Sequence, residues 1–198
     1  FGVDAKTAYD LMAKGAQNGL DYSGELIDNI DEYSVQFAKA GLSANEMFNI
    51  MAAGYDAGSW NLDKIGDAVK ELNIRLVDGS DTTKAGLEAI GMNADEVAKK
   101  MSKGGETAKK TYKQVVDKLA DMDDQQARNI AGVNLFGTMW EDLGPEVVAQ
   151  LAVLEGAYDD VSGTMDKIND VKYDDAKSAL EALKRKTQVS LLLPISED

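Results

Sequence analysis

Gly, Ala, Met and Gly recur three times in this chain at one fixed spacing. The copies are Gly2, Ala5, Met12, Gly15; Gly41, Ala44, Met51, Gly54; and Gly91, Ala94, Met101, Gly104. No gap is needed inside any copy. The match runs on downstream, where Leu26, Ile30 and Tyr33 align with Ile65, Val69 and Leu72, and then with Val115, Leu119 and Met122. A fixed internal repeat means that one supersecondary unit was duplicated, and such units bury their apolar faces against their neighbours.

Each copy reads as a short helix, a turn and a longer helix. Asp4, Ser43 and Asn93 stand where the first helix of each unit begins. Each can accept a hydrogen bond from the free N–H groups of a first turn. Ser43 with Glu46 makes a capping-box pattern, and Asn93 with Glu96 a weaker form of it. The Met positions read as core, and Gly15, Gly54 and Gly104 as the left-handed C′ stops of these helices. The second helix of each unit is amphipathic. Leu26, Ile30, Tyr33 and Phe37 share one face in unit one; Leu62, Ile65, Val69, Leu72 and Leu76 in unit two; Tyr112, Val115, Leu119 and Met122 in unit three. Asp28, Asp67 and Asp117 form an aligned polar column, expected to share a capping or interhelical hydrogen-bonding role.

The units are unequal. Gly2 to Gly41 is 39 residues, and Gly41 to Gly91 is 50. The extra length falls at Asp78-Gly79-Ser80-Asp81-Thr82-Thr83, a turn opening a short helix to Ile90. That acidic run is too short for a calcium loop. After Met122 the repeat stops. Asp123 or Asp124 can cap a helix carrying Ala127, Ile130, Ala131 and Leu135. Phe136, Met139 and Trp140 form an aromatic cluster. Gly144-Pro145 opens a helix with Pro at its first position, buried through Val147, Val148, Leu151 and Leu154. Another helix is expected near 160–168. A last one runs from Asp174-Asp175 through Ala179, Leu180 and Leu183. A period-two alternation occurs only over Thr187 to Leu193.

The fold expected is therefore all-α: an irregular helical repeat, then a further helical bundle segment. Residues 1–122 hold the three units (about 2–40, 41–90 and 91–122). Residues 123–198 form a C-terminal helical segment packed on them. The chain begins at Phe1 and ends on the apolar Leu191-Leu192-Leu193-Pro194-Ile195, so it reads as a piece of a longer protein whose C-terminal segment runs on.

Composition narrows the chemistry. Cysteine and histidine are both absent, which removes thiolate and imidazole ligands, the cysteine nucleophile and the commonest general base. No phosphate-binding glycine loop and no Gly-x-Ser-x-Gly elbow occurs. The carboxylate pairs Glu141-Asp142, Asp159-Asp160 and Asp174-Asp175 are adjacent residues, which do not face each other on a helix. No catalytic, cofactor-binding or metal-ligating residue is singled out, and no cofactor is expected. A net charge of −14 argues against nucleic acid and anionic bilayers as partners. No apolar run reaches the roughly 18 residues of a membrane span. The exception to the acidic balance is Lys99, Lys100, Lys103, Lys109, Lys110, Lys113 and Lys118, set against Glu106 and Asp117, which reads as a solvated helical face. Trp60 and Trp140 can anchor a partner, but core or half-buried packing is the expected role of both.

Three phrases carry a family resemblance. Ala40-Gly41-Leu42-Ser43-Ala44-Asn45-Glu46, Leu135-Phe136-Gly137-Thr138 followed by Glu141-Asp142, and Leu192-Leu193-Pro194 resemble elements of the tail tape-measure (minor tail) proteins of long-tailed phages and prophages of Gram-positive bacteria. The resemblance implies a non-catalytic structural domain of a long helical chain that occupies the tail tube, sets tail length during assembly and leaves during DNA ejection. It implies tail-tube, distal-tail and assembly-chaperone proteins or further copies of the chain as partners. The implied location is the virion tail, and the host cytoplasm during assembly. This chain lacks the long heptad array, the transmembrane stretches and the peptidoglycan-cleaving modules found in the family, so the ruler is expected in the parent protein. A helical repeat scaffold binding a cellular protein is the other reading of the repeats; a groove lined by the second helices would favour it. A carboxylate-based cell-wall hydrolase would need two carboxylates about 5–9.5 Å apart in one cleft.

Overall fold

Side-chain caps start the helices where the sequence places them. Asp4, Ser43, Asn61, Ser80, Asn93 and Asp124 each accept from a backbone N–H of the first turn they precede. Ser43 and Glu46 complete the reciprocal capping box. The computed structural model describes residues 1–168. In order it contains α1 (Ala5–Gln17), α2 (Leu26–Lys39), α3 (Ala44–Asp56), α4 (Leu62–Asp78), α5 (Asp81–Ala89), α6 (Ala94–Met101), α7 (Gly105–Ala120), α8 (Gln125–Phe136), α9 (Met139–Ala149) and a 3₁₀ turn over Gln150–Ala152. The all-α class holds, with no strand among the described residues. Helix α9 is broken at Gly144, whose φ of 75° lets Pro145 open a new turn. The expectations at Asp174 to Leu183, Thr187 to Leu193 and Leu191 to Ile195 lie outside the described residues.

The glycine stops need correction. Gly15 and Gly54 lie inside α1 and α3, not past their ends. The left-handed residues are Gly19 and Gly58, four positions later. Each closes its helix by a pair of backbone bonds. Gly19 N–H donates to Ala16 and Leu20 N–H to Gly15; Gly58 N–H donates to Tyr55 and Ser59 N–H to Gly54. What Gly15 and Gly54 supply is closeness. A Cβ on Gly15 would stand 2.9 Å from Phe48 Cε1, and one on Gly54 would stand 2.7 Å from Ile65 Cδ1. Of the three, only Gly104 is a left-handed junction, at φ 67°.

The long helices bury the stripes read from the sequence. Leu62, Ile65, Val69, Leu72 and Leu76 of α4 are all essentially inaccessible. At about 2 kcal/mol each, this stripe contributes roughly 10 kcal/mol before conformational entropy is charged against it. Helix α2 runs parallel to α4. Tyr33 O–H donates to Asp63 Oδ1 at 2.8 Å and Asp67 Oδ1 at 3.0 Å near the start of α4, while Asn73 Nδ2, near its end, donates to Gln36 C=O at 2.7 Å. The Tyr33 ring fills a notch at Gly66, where a Cβ would lie 2.4 Å from it.

The aligned aspartates do not share a role. Asp67 bonds across helices to Tyr33. Asp117 pairs with Lys113 one turn back at 2.8 Å. Asp28 lies exposed in the first turn of α2, where a carboxylate suits the helix dipole.

The described chain divides into a unit over Phe1–Val161 and a second that begins at Ser162. In the first, α8 and α9 join the same core as the repeats: Ala131, Leu135, Phe136, Trp140 and Leu143 are buried with it. In the second, residues 164–168 form a helical turn.

Candidate interaction surfaces

The two tryptophans part company. Trp140 is buried, its ring 6.4 Å from Phe136 and seated against Gly132, where a Cβ would come within 2.2 Å. Trp60 is 64% exposed, against the expectation of core or half-buried packing. It stands between the left-handed Gly58 that ends α3 and the Asn61 that caps α4. A residue wedged between a helix stop and the next helix cap sits in a surface turn, and that was the sequence signal for its exposure. Beside this turn the α1–α2 loop packs its own aromatic: Tyr22 stacks on Tyr55 with ring centroids 4.4 Å apart, both half-exposed. Burial, then Tyr55 and Glu25, push the Tyr22 phenol above its ordinary pKa. Glu25 and Asp56 are exposed on the same two segments.

A second feature is a cleft of about 570 Å³ between α3, α7 and the chain after the 3₁₀ turn, lined by Glu46, Lys109, Lys113, Leu154 and Glu155 among others. Lys109 bridges Glu46 of α3 and Glu106 of α7, at 3.0 Å each. The Glu106 and Glu46 carboxylates hold its ammonium above the usual lysine range. Lys113 pairs with Asp117, and Lys110 sits 3.9 Å from Glu106. Lys109, Lys110 and Lys113 are therefore each set against a carboxylate, and Lys109 ties α7 to α3, beyond the solvated face expected of the stretch. Lys99, Lys100 and Lys103 differ. They are exposed at the end of α6 and meet no carboxylate among the described residues.

Behind the cleft, α3 holds residues 154–159 through two amides that sequence reasoning missed: Asn45 Nδ2 donates to Tyr158 C=O, and Asn49, which is buried, makes three further bonds. Asn49 Nδ2 donates to Leu154 C=O at 3.0 Å and to Asp159 Oδ1 at 2.7 Å, and Asn49 Oδ1 accepts from Tyr158 N–H at 3.0 Å. Asp159 Oδ2 in turn accepts from Gly156 N–H, and Tyr158 packs on Phe48.

Two of the adjacent carboxylates carry structural tasks: Asp142 pairs with Lys64 at 2.7 Å and Asp159 closes this turn, while the Asp160 main-chain carbonyl accepts from Lys14 Nζ. Asp174-Asp175 lies outside the described residues. No group of acidic side chains able to hold a metal gathers among the described residues, and no described helix is long and apolar enough to cross a membrane.

Two comparisons bear on this architecture. Residues 1–137 match the family model of the phage-related minor tail protein. Nearly the whole chain, 96% of it, aligns at 29% identity with a probable tape measure protein of Streptomyces phage phiC31, and spans 26% of that protein's length. No solved structure matches the chain.

Proposed function

Because the chain belongs to the family of phage-related minor tail proteins, we propose that it is a non-catalytic helical domain of a tape-measure protein. It acts in tail assembly and tail-length determination through contacts with other tail proteins: the tail tube, the distal tail and the assembly chaperones. It works in the virion tail, after assembly in the host cytoplasm. The observation that carries this reading is the alignment of 96% of the chain with a probable tape measure protein. The geometry is in keeping with it. The main apolar stripes of the helices are spent on one core, several acidic side chains serve caps and ion pairs, and the exposed side chains at Tyr22, Tyr55 and Trp60 are of the kind that anchors protein contacts.

The scaffold reading loses its support at the second helices. Helix α5 is inserted between the second and third units and packs its Gly86 on Leu135 of α8, so the second helices do not stack through one repeated surface as a solenoid groove requires.

The test is an in-frame deletion of this segment from the tape-measure gene of a phage that encodes it. Electron microscopy of lysates should show tails that are absent or altered in length while the tail-tube protein is still made. Tails of normal length together with normal infectivity would overturn the proposal.

A further inference from the structure

One end of the molecule gathers exposed rings and carboxylates without free cations. Helices α2 and α4 run parallel, and Asn73 donates to Gln36 across an offset of 37 residues. Leu62, the first residue of α4, therefore stands level with Glu25, the residue before α2. Trp60 shares this end with Tyr22, and the stack of Tyr22 on Tyr55 brings in the last turn of α3. All three rings are exposed. Exposed Glu25, Asp28 and Asp56 stand on the same segments and meet no cation among the described residues. From Gly15 to Asp63 the chain holds eight carboxylates and one cation, Lys39, which lies at the opposite end of α2. The lysines on either side of that stretch are engaged: Lys14 Nζ donates to the Asp160 carbonyl, and Lys64 pairs with Asp142.

We propose that this end docks an arginine-bearing segment of another tail protein. A guanidinium group stacks flat on an aromatic face and pairs with carboxylates through its fork, so one side chain satisfies both features of the surface. The uncompensated carboxylates draw it in. A second copy does not supply that group. Arg75 is held by Glu71 and the Asn134 carbonyl, and the Nε of Arg128 is buried. Lys99 and Lys100 follow exposed Asp95 and Glu96 on the same short helix, so α6 offers no basic face either. A net charge of −14 sets two copies against each other. The proposal rests on the reading of the chain as a tail contact domain only in taking the partner from the tail; peptide binding and the deletion phage therefore test separate claims.

The probe is a fluorescein-labelled twelve-residue peptide of alternating Arg and Gly, titrated by anisotropy against the 198-residue chain. A peptide with Lys in place of Arg is its counterpart. Salt at about 0.15 M screens attraction from the rest of the acidic surface. One variant is Trp60→Ala; a second carries Glu25→Gln, Asp28→Asn and Asp56→Asn. A third makes the same charge change elsewhere, through Asp95→Asn, Glu96→Gln and Asp123→Asn. Circular dichroism and melting temperature establish that each folds as the parent does. The Arg peptide should bind the parent with a Kd below about 1 mM and alter the emission of Trp60, while buried Trp140 keeps its own. Trp60→Ala and the second variant should each bind about three- to tenfold more weakly, and the third should bind as the parent does. The Lys peptide should bind the parent several-fold more weakly than the Arg peptide. Absence of binding overturns the proposal, as does equal weakening in the third variant, or a Lys peptide that binds as tightly. A parent that dimerises in sedimentation velocity and is made monomeric by Trp60→Ala would give this end to a second copy and overturn it too.

Discussion

Replacing Asn49 with Ala tests how residues 154–159 are held on α3. Asn49 is almost wholly buried and makes three hydrogen bonds across more than 100 positions of sequence: to Leu154 C=O, to Asp159 Oδ1 and from Tyr158 N–H. A neutral hydrogen bond contributes about 1 kcal/mol net, and one to a charged acceptor about 2 kcal/mol. Truncation removes two of the first kind and one of the second, a loss of about 4 kcal/mol. For a domain of this size each kcal/mol lowers the melting temperature by about 2–4 °C, so Asn49→Ala should melt about 10 °C below the parent. Hydrogen exchange should locate the damage: amides of residues 154–159 lose protection while those of α4 keep theirs below the global transition. Asn49→Asp is the sharper partner variant. It keeps an acceptor for Tyr158 N–H but sets a second carboxylate against Asp159, so its deficit should be larger at pH 7 than near pH 4, where carboxylates begin to protonate. A loss of less than about 1 kcal/mol in Asn49→Ala, with exchange over 154–159 unchanged, would refute the view that this amide pins the turn.

Two further outcomes come from the core. Gly66→Ala improves helix propensity by about 1 kcal/mol, yet its Cβ would lie 2.4 Å from the Tyr33 ring. The clash should win, with a net loss of about 1–3 kcal/mol in denaturant titration; a stabilised variant would show that Tyr33 is free to move. Tyr112 is fully buried, its hydroxyl has no hydrogen-bond partner among the described residues, and burial pushes its phenol far above the ordinary range. Tyr112→Phe should therefore gain about 1 kcal/mol at neutral pH. The native state keeps this proton where the unfolded chain, with tyrosines ionising near 10, loses it. Stability is thus complete below about pH 10 and falls above it, and the variant should lower that slope by about 1.4 kcal/mol per pH unit. Alkaline melts that superimpose for the two proteins would count against it.

Local signals were legible and their tertiary use was not. Caps are decided within four residues, so Asp4, Ser43 and Asn93 could be read directly from the chain, and Asp124 as one of two candidates with Asp123. The stripe of α4 is decided by its own period. Gly15 and Gly54 looked like helix stops because glycine has two uses, and the sequence offers both at that spacing. Choosing between them requires knowing that Phe48 and Ile65 press on those backbones. Trp60 was misplaced for the converse reason: large aromatics are usually buried, and the turn chemistry on either side of it was the better guide. Asn49 gave no signal at all, since its partners lie more than 100 residues away.

The repeat itself changes meaning once the joints are seen. Gly41 and Gly91, which open the second and third copies, close the helices before them. Gly41 N–H donates to Ala38 and Leu42 N–H to Phe37, while Gly91 N–H donates to Glu88 and Met92 N–H to Leu87. The second and third aligned phrases are thus each a helix end, a left-handed joint and a helix start in one piece, which leaves no room for a gap. The surroundings of each joint are free to differ. Gly41 packs on the backbone at Gly105, where a Cβ would meet the Gly105 carbonyl within 2.1 Å, while Gly91 has open space around it. Between these two joints the chain inserts α5, whose Gly86 lies against Leu135 of α8, a helix outside the repeat. A solenoid needs each unit to meet the next through the same surface. Here the joints were duplicated and the surfaces diverged, so three similar sequences build one core that does not repeat.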